Sequence, residues 1–206
     1  QQLEEAITPQ TKMLWFSSPC NPSGSLYSTE ELRALADVLQ KHPQIIVVSD
    51  EIYEHINFAG GHASMAQFED MYDRTVTVNG VSKAFAMTGW RIGYIGAPEY
   101  IARACNKIQG QITSGANCIA QRATITALKA PVSKIQYMIN KFKERRTLIL
   151  DLLNELQKKY SLSYIFISHD MKVIKAVSDY IIVIKNGKIV EEGKTESVFN
   201  NPQKNY

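Results

Sequence analysis

The chain has 206 residues, 45% of them hydrophobic and 21% charged, with a net charge of +3. That balance suits a globular protein with a sizeable core, and the charge is too small to mark a nucleic-acid binder or a partner of anionic membranes. No apolar run approaches the roughly 18 residues of a membrane span, and no signal-like segment leads the chain.

The elements follow in chain order. An apolar strand pattern covers Met13 to Phe16 and ends in a Pro/Asn/Gly loop from Ser17 to Ser25. Ser28 with Glu31 three residues on predicts a capping box, and Leu32, Leu35, Ala36 and Leu39 give the apolar face of a helix that Pro43 stops. Ile45 to Val48 is a β-branched run of the kind that suits a strand covered on both faces. Thr75 to Val78 and Arg91 to Ile95 read as two further strands, and helical patterns fill roughly 99–130 and 132–158. Strands alternating with helices imply an α/β fold with a largely parallel sheet. Ligands sit beyond the carboxyl ends of such strands, where Asn21, Asp50 and Lys83 all fall.

Three strings carry the chemical signal: SSPCNPSG at 17–24, SDEIYEH at 49–55 and NGVSKAFAMTGWRIGY at 79–94. The third resembles the lysine signature of class I aminotransferases from Gly80 to Gly93 at every constrained position. Together the strings resemble a bacterial aspartate aminotransferase of the fold type I superfamily over about residues 1–148. The resemblance implies a fragment of that family's large domain and pyridoxal 5'-phosphate as cofactor. It further implies transfer of an amino group from an aspartate-type amino acid to a 2-oxo acid, with a homodimer for the complete family enzyme.

The resemblance gives each residue a role. Lys83 would bond to the cofactor's aldehyde carbon and later move a proton; burial and nearby cations would bring its pKa from about 10.4 toward the range of about 7–8 that suits a base. Asp50 would face the pyridinium nitrogen and keep it protonated, although a strand-end Asp also commonly caps a turn. Tyr53 and Asn21 would donate to the phenolic oxygen; alone, they would read as a packing Tyr and a turn residue. Arg91 offers a bidentate fork for the phosphate, with a surface ion pair as its alternative, and Ser82 adds a hydroxyl. Gly89 and Gly93 beside Arg91 suit close backbone approach. His55 and His62 read as unremarkable loop residues, Trp90 as a packing residue, and Gly110 to Ala120 as a border of the site or of a partner subunit. The family's Gly/Ser phosphate loop, its ring-stacking aromatic residue and its Arg for the substrate α-carboxylate have no match here. The chain reads as a piece of something longer.

Cys20, Cys105 and Cys118 are an odd number without metal-type spacing. They are expected to be reduced, mostly buried and free of zinc or redox duty, which points to the cytoplasm. No metal site is expected elsewhere.

The character changes near residue 150: 7 of the 15 basic residues up to position 148 are Arg, against none of the 8 beyond it. Ser163 to Ser168 predicts a short buried strand and Met171 to Val177 a helix. Ile181 to Lys185 and Lys188 to Glu192 flank Asn186-Gly187, the strongest short hairpin signal. YIFISHDMKVI, KNGKIVEEG and NPQKNY resemble the C-terminal end of an oligopeptide-type ABC transporter ATPase, in which His169 would be the switch histidine. This gives 149–206 as a small α+β tail and the whole as an apparent chimera. No G-x-x-x-x-G-K-[ST] phosphate loop accompanies His169, so an ornamental loop residue is the better reading of it. The rival functions are an ATP-binding transporter subunit and a non-functional chimera.

Overall fold

The computed structural model of the chain describes residues 1–167, 174–175 and 178–201. It divides into two compact units, Gln1–Leu148 and Ile149–Tyr206.

In the first unit a short helix, α1 (Gln2–Ala6), precedes strand β1 (Met13–Ser17). Ser28 then starts α2 (Thr29–Gln40). Its hydroxyl accepts from the Glu31 amide at 3.1 Å, and the Glu31 carboxylate accepts from the Ser28 amide at 2.8 Å. The predicted capping box is present in full. At the other end Arg74 donates to the carbonyls of Leu39 and His42 at 2.8 and 2.9 Å, placing a cation at the negative end of the helix dipole. Leu32, Ala36 and Leu39 face inward and meet Ile45, Val47, Ala63, Met65 and Met71 in the main core.

Strand β2 (Ile46–Asp50) follows α2. A short helix, α3 (Glu69–Tyr72), leads into β3 (Thr75–Gly80), and β4 (Gly93–Gly96) completes a sheet of order β1-β2-β3-β4. The first three strands run parallel, with Ser17 opposite Asp50 and Asp50 opposite Val78; β4 is antiparallel to β3. The sheet is therefore largely parallel, as expected, with one antiparallel strand at its edge. The strand predicted over 91–95 starts later. Arg91 has a left-handed backbone, φ 57, which keeps it out of the ladder. Gly80 lies opposite Gly93, and a Cβ at Gly80 would sit 2.9 Å from the Ile92 carbonyl oxygen. Only a residue without a side chain fits that crossing.

The helical pattern over 99–130 is two helices, α4 (Glu99–Ile112) and α5 (Cys118–Lys129). Ser114 at φ 61 and Gly115 at φ 129 break the run, and the Asn117 side chain caps α5 by accepting from Ile119 and Ala120 at 2.9 and 3.1 Å. The pattern over 132–158 becomes a 3₁₀ turn followed by α6 (Gln136–Tyr160). Cys20 is half-buried, and Cys105 and Cys118 are exposed on α4 and α5. The expectation of mostly buried cysteines is overturned, because both helices turn these positions outward.

In the second unit, residues 162–167 have no regular structure. The buried strand predicted over 163–168 is not formed in its described part: Ile165 and Ile167 are 90% and 97% exposed, with no strand pairing the segment among the described residues. The hairpin is as expected. Strands β5 (Tyr180–Lys185) and β6 (Lys188–Lys194) pair antiparallel around Asn186 and Gly187, at φ 52 and 72. A helix, α7 (Thr195–Asn200), covers β6, with Ile181 and Val198 buried. His169, residues 202–206 and the helix predicted over 171–177, apart from Ile174 and Lys175, lie outside the described residues. Among those described, no helix is long and apolar enough to cross a membrane.

Candidate active site

Parallel strands of matched register deliver their C-terminal ends to one edge of the sheet. There β1 hands over to the loop bearing Asn21, β2 to Asp50 and the turn bearing Tyr53, and β3 to the turn bearing Ser82 and Lys83. The Asn21 Nδ2 donates to the Tyr53 hydroxyl at 3.1 Å. The Lys83 ammonium lies 5.7 Å from the centre of the Tyr53 ring. Three residues from three separate segments thus come together around the Tyr53 side chain.

Local packing explains how Lys83 is presented. Val81 and Ala84 are buried, and Val81 packs with Ile92 and Ala120 while Phe85 and Met87 lean on that cluster. The backbone turns on itself through Phe85 N to Val81 O at 3.3 Å and Ala86 N to Lys83 O at 3.2 Å. With 81 and 84 facing inward, Ser82 and Lys83 are left half-exposed.

Asp50 ends β2. One of its oxygens accepts from the Ile52 amide at 3.2 Å, so it caps the turn, as the bland reading expects, and its other oxygen takes no part in that bond. Arg91 is exposed and donates to the Thr88 carbonyl at 3.0 Å; among the described residues it forms no ion pair. It borders an open depression of about 670 Å³ with Trp90, Thr113, Gly115 and Asn117. Trp90, expected to pack, is 45% exposed there, and the expectation that Gly110 to Ala120 borders a site fits this lining.

His62 was expected to be an unremarkable loop residue, and the structure corrects this. Glu51, one residue after Asp50, is 3% exposed. Its carboxylate accepts from Ser49 Oγ at 2.8 Å and Ser64 Oγ at 2.7 Å, and meets His62 Nε2 at 2.9 Å. The hydrogen bond to Glu51 holds the His62 pKa above its ordinary value, against the opposing pull of burial. Glu54 lies close by and pairs with His55 at 3.2 Å. These donors occupy both Glu51 oxygens, while His62 Nδ1, also buried, has no hydrogen-bond partner among the described residues. The signal for this cluster was the Glu following Asp50: an acid at the end of a buried strand needs partners. His55 also packs edge-on against Phe85, ring centres 6.1 Å apart.

The donor set fits pyridoxal phosphate. Amine, carboxylate, phenol and amide converge at the strand ends, and a guanidinium with a left-handed backbone stands on the loop after them.

The family model for class I and II aminotransferases matches residues 1–189. The chain belongs to the class I and II aminotransferase family. Among its relatives, a bifunctional aspartate aminotransferase and glutamate/aspartate-prephenate aminotransferase of Petunia hybrida is 46% identical over 159 residues, 75% of this chain and 33% of that protein. A probable aspartate/prephenate aminotransferase of Rickettsia bellii is 40% identical over 210 aligned positions, 96% of this chain and 52% of that protein. The crystal structure of an aspartate aminotransferase from Rhizobium meliloti superposes with a TM-score of 0.71 at 42% identity, covering 75% of this chain and 39% of that one. The chain therefore spans between about a third and a half of the length of the relatives it matches. The family match runs to residue 189, past the boundary expected near 148.

Proposed function

We propose that the first unit is the pyridoxal-phosphate-binding core of an aminotransferase that moves an amino group from an aspartate-type amino acid to a 2-oxo acid. The observation that carries this reading is the meeting of Asn21, Tyr53 and Lys83 at the ends of three adjacent parallel strands. Lys83 would hold the aldehyde carbon and, when released, take a proton from the amino acid's α-carbon and return it two bonds away, beyond the amino nitrogen. Asp50 would keep a proton on the pyridine nitrogen, and Tyr53 with Asn21 would donate to the phenolic oxygen. Arg91 and Ser82 would bind the phosphate. When bound, the cofactor supplies an electron-withdrawing ring that accepts negative charge from the α-carbon. In the complete enzyme we expect a homodimer, and we expect the cytoplasm as its compartment.

The test is covalent trapping. The chain, incubated with pyridoxal phosphate and reduced with borohydride, should carry the cofactor on Lys83, as read by peptide mass mapping. Label spread over the other lysines would overturn the assignment.

We further infer that residues 149–206 form a unit of separate origin, resembling the end of a transporter ATPase. The loss of Arg after position 148 and the unit boundary at Leu148 support it. The family match through residue 189 weighs against it. With no phosphate loop in the chain, we assign the tail no nucleotide chemistry. Isothermal titration with ATP should give no heat of binding, and saturable binding would revive the transporter reading.

A further inference from the structure

The main core holds the sheet, and no residue of the turn from Asp50 to Tyr53 belongs to it. That turn is tied down by other means. Its backbone is pinned by Glu51 N to Val78 O at 2.8 Å, Glu54 N to Glu51 O at 2.9 Å and Ile56 N to Tyr53 O at 2.8 Å. Side chains alternate along a strand, so Ser49 and Glu51 point to the face opposite Asp50. On that face the Glu51 carboxylate is held by three donors from two places: Ser49 on β2, and His62 and Ser64 on the loop that leads into the 3₁₀ turn Met65–Gln67. Ser64 uses the same hydroxyl to cap that turn, accepting from Ala66 N at 3.3 Å, and Met65, fully buried, locks it into the core. A continuous chain of bonds thus runs from the core through Ser64 and His62 to Glu51, and from Glu51 to its neighbours Asp50 and Ile52.

We propose that Glu51, clasped by His62, Ser49 and Ser64, is a positioning residue for cofactor binding, fixing Asp50 and Tyr53 from behind the sheet. The proposal rests on the reading of Asp50 and Tyr53 as cofactor-binding residues. Site geometry is held by such supporting bonds, and a tolerance of about half an ångström is typical of productive sites. The groups that face His62 are the carboxylates of Glu51 and Glu54 and the hydroxyls around them.

The test uses the full chain and two His62 variants. His62→Leu removes the donor, and His62→Gln retains an N–H that reaches the same oxygen. In His62→Leu, amides of Ile52, Tyr53 and Glu54 should exchange at least about tenfold faster in the absence of cofactor, the scale of one hydrogen bond to a buried charge, while amides of α2 stay within about twofold. The dissociation constant for pyridoxal phosphate should rise by about the same factor, and His62→Gln should restore both. Should His62→Leu fail to fold, Ser64→Ala removes a second donor and carries the same expectations. Uniform acceleration across α2 and the turn would show a merely structural role, and unchanged exchange at 52–54 in a folded variant would overturn the proposal. If the wild-type chain takes up no cofactor, the functional reading fails, yet the exchange measurement still decides whether the cluster fixes the turn.

Discussion

Two β-branched runs of nearly the same composition meet different fates in this molecule. Ile45 to Val48 enters a strand with neighbours on both sides and a helix across one face, and Ile45, Val47 and Val48 are 1%, 0% and 7% exposed. Ile181 to Ile184 enters a two-stranded hairpin with one short helix, and only Ile181 is buried; Ile182 and Ile184 are 52% and 66% exposed. Local sequence decides that each run is extended, but burial is decided by how many layers the rest of the chain supplies. A lone hairpin is marginal in water, whereas a sheet of three or more strands with a packed face stands by itself. The stability of the first unit should therefore sit in its core, and that of the second in its turn and one helix.

The largest effect expected from this difference lies in the core of the first unit. Leu32 is fully buried between α2 and the sheet. Leu32→Ala should cost about 3–5 kcal/mol through lost transfer energy and a residual cavity. Ile184→Thr, at an exposed position, should change stability by no more than about 0.5 kcal/mol. Urea unfolding followed by circular dichroism measures both. Comparable losses would erase the contrast between the two runs.

Amide exchange sharpens the same comparison without mutation. The amides of Val47 and Val48 should open only with the core, and those of Ile182 to Ile184 by fraying of the hairpin. We expect the second set to exchange about a hundredfold faster. Equal protection would mean that the tail has a packing partner.

Gly80→Ala probes the boundary between core and site. The added methyl would meet backbone at 2.9 Å, and backbone does not give way as a side chain can. We expect a loss of about 1–3 kcal/mol, with weaker cofactor uptake because β3 leads directly to Ser82 and Lys83. Unchanged stability and uptake would show that β4 can move aside.

How far the sequence disclosed this arrangement depended on how local each cause is. The capping box at Ser28, the hairpin at Asn186-Gly187 and the three strand ends were legible because each rests on residues a few positions apart. The convergence of Asn21, Tyr53 and Lys83 was legible through the family resemblance and the parallel-sheet rule together. The break at Ser114 and Gly115 was missed because apolar periodicity continues through it. The role of His62 was missed because its partner, Glu51, is eleven residues away and buried, and its position in sequence says nothing of that. Ile165 and Ile167 read as buried because they are apolar, yet no layer among the described residues covers them.

The smallest expected effect is also the most specific to the first unit, and it concerns pH. His62 keeps a proton more tightly folded than unfolded, because the Glu51 carboxylate outweighs the burial that opposes it. The folded chain therefore binds more protons than the unfolded chain between the two values. The stabilisation is fully present below the ordinary histidine value of about 6.5 and is lost as pH rises through the folded value. Urea midpoints should thus fall between pH 6 and pH 9 in the wild type by more than in His62→Gln, whose amide keeps a donor but does not titrate. The hairpin offers an internal control: no histidine lies in residues 180–194, so substitution at His62 should leave the pH dependence of its amide protection unchanged. Parallel pH profiles for wild type and His62→Gln would mean that the Glu51 cluster holds its shape without the charge on His62. The turn bearing Asp50 and Tyr53 would then be fixed by the hydrogen bonds of His62 and the two serines, with no contribution from charge.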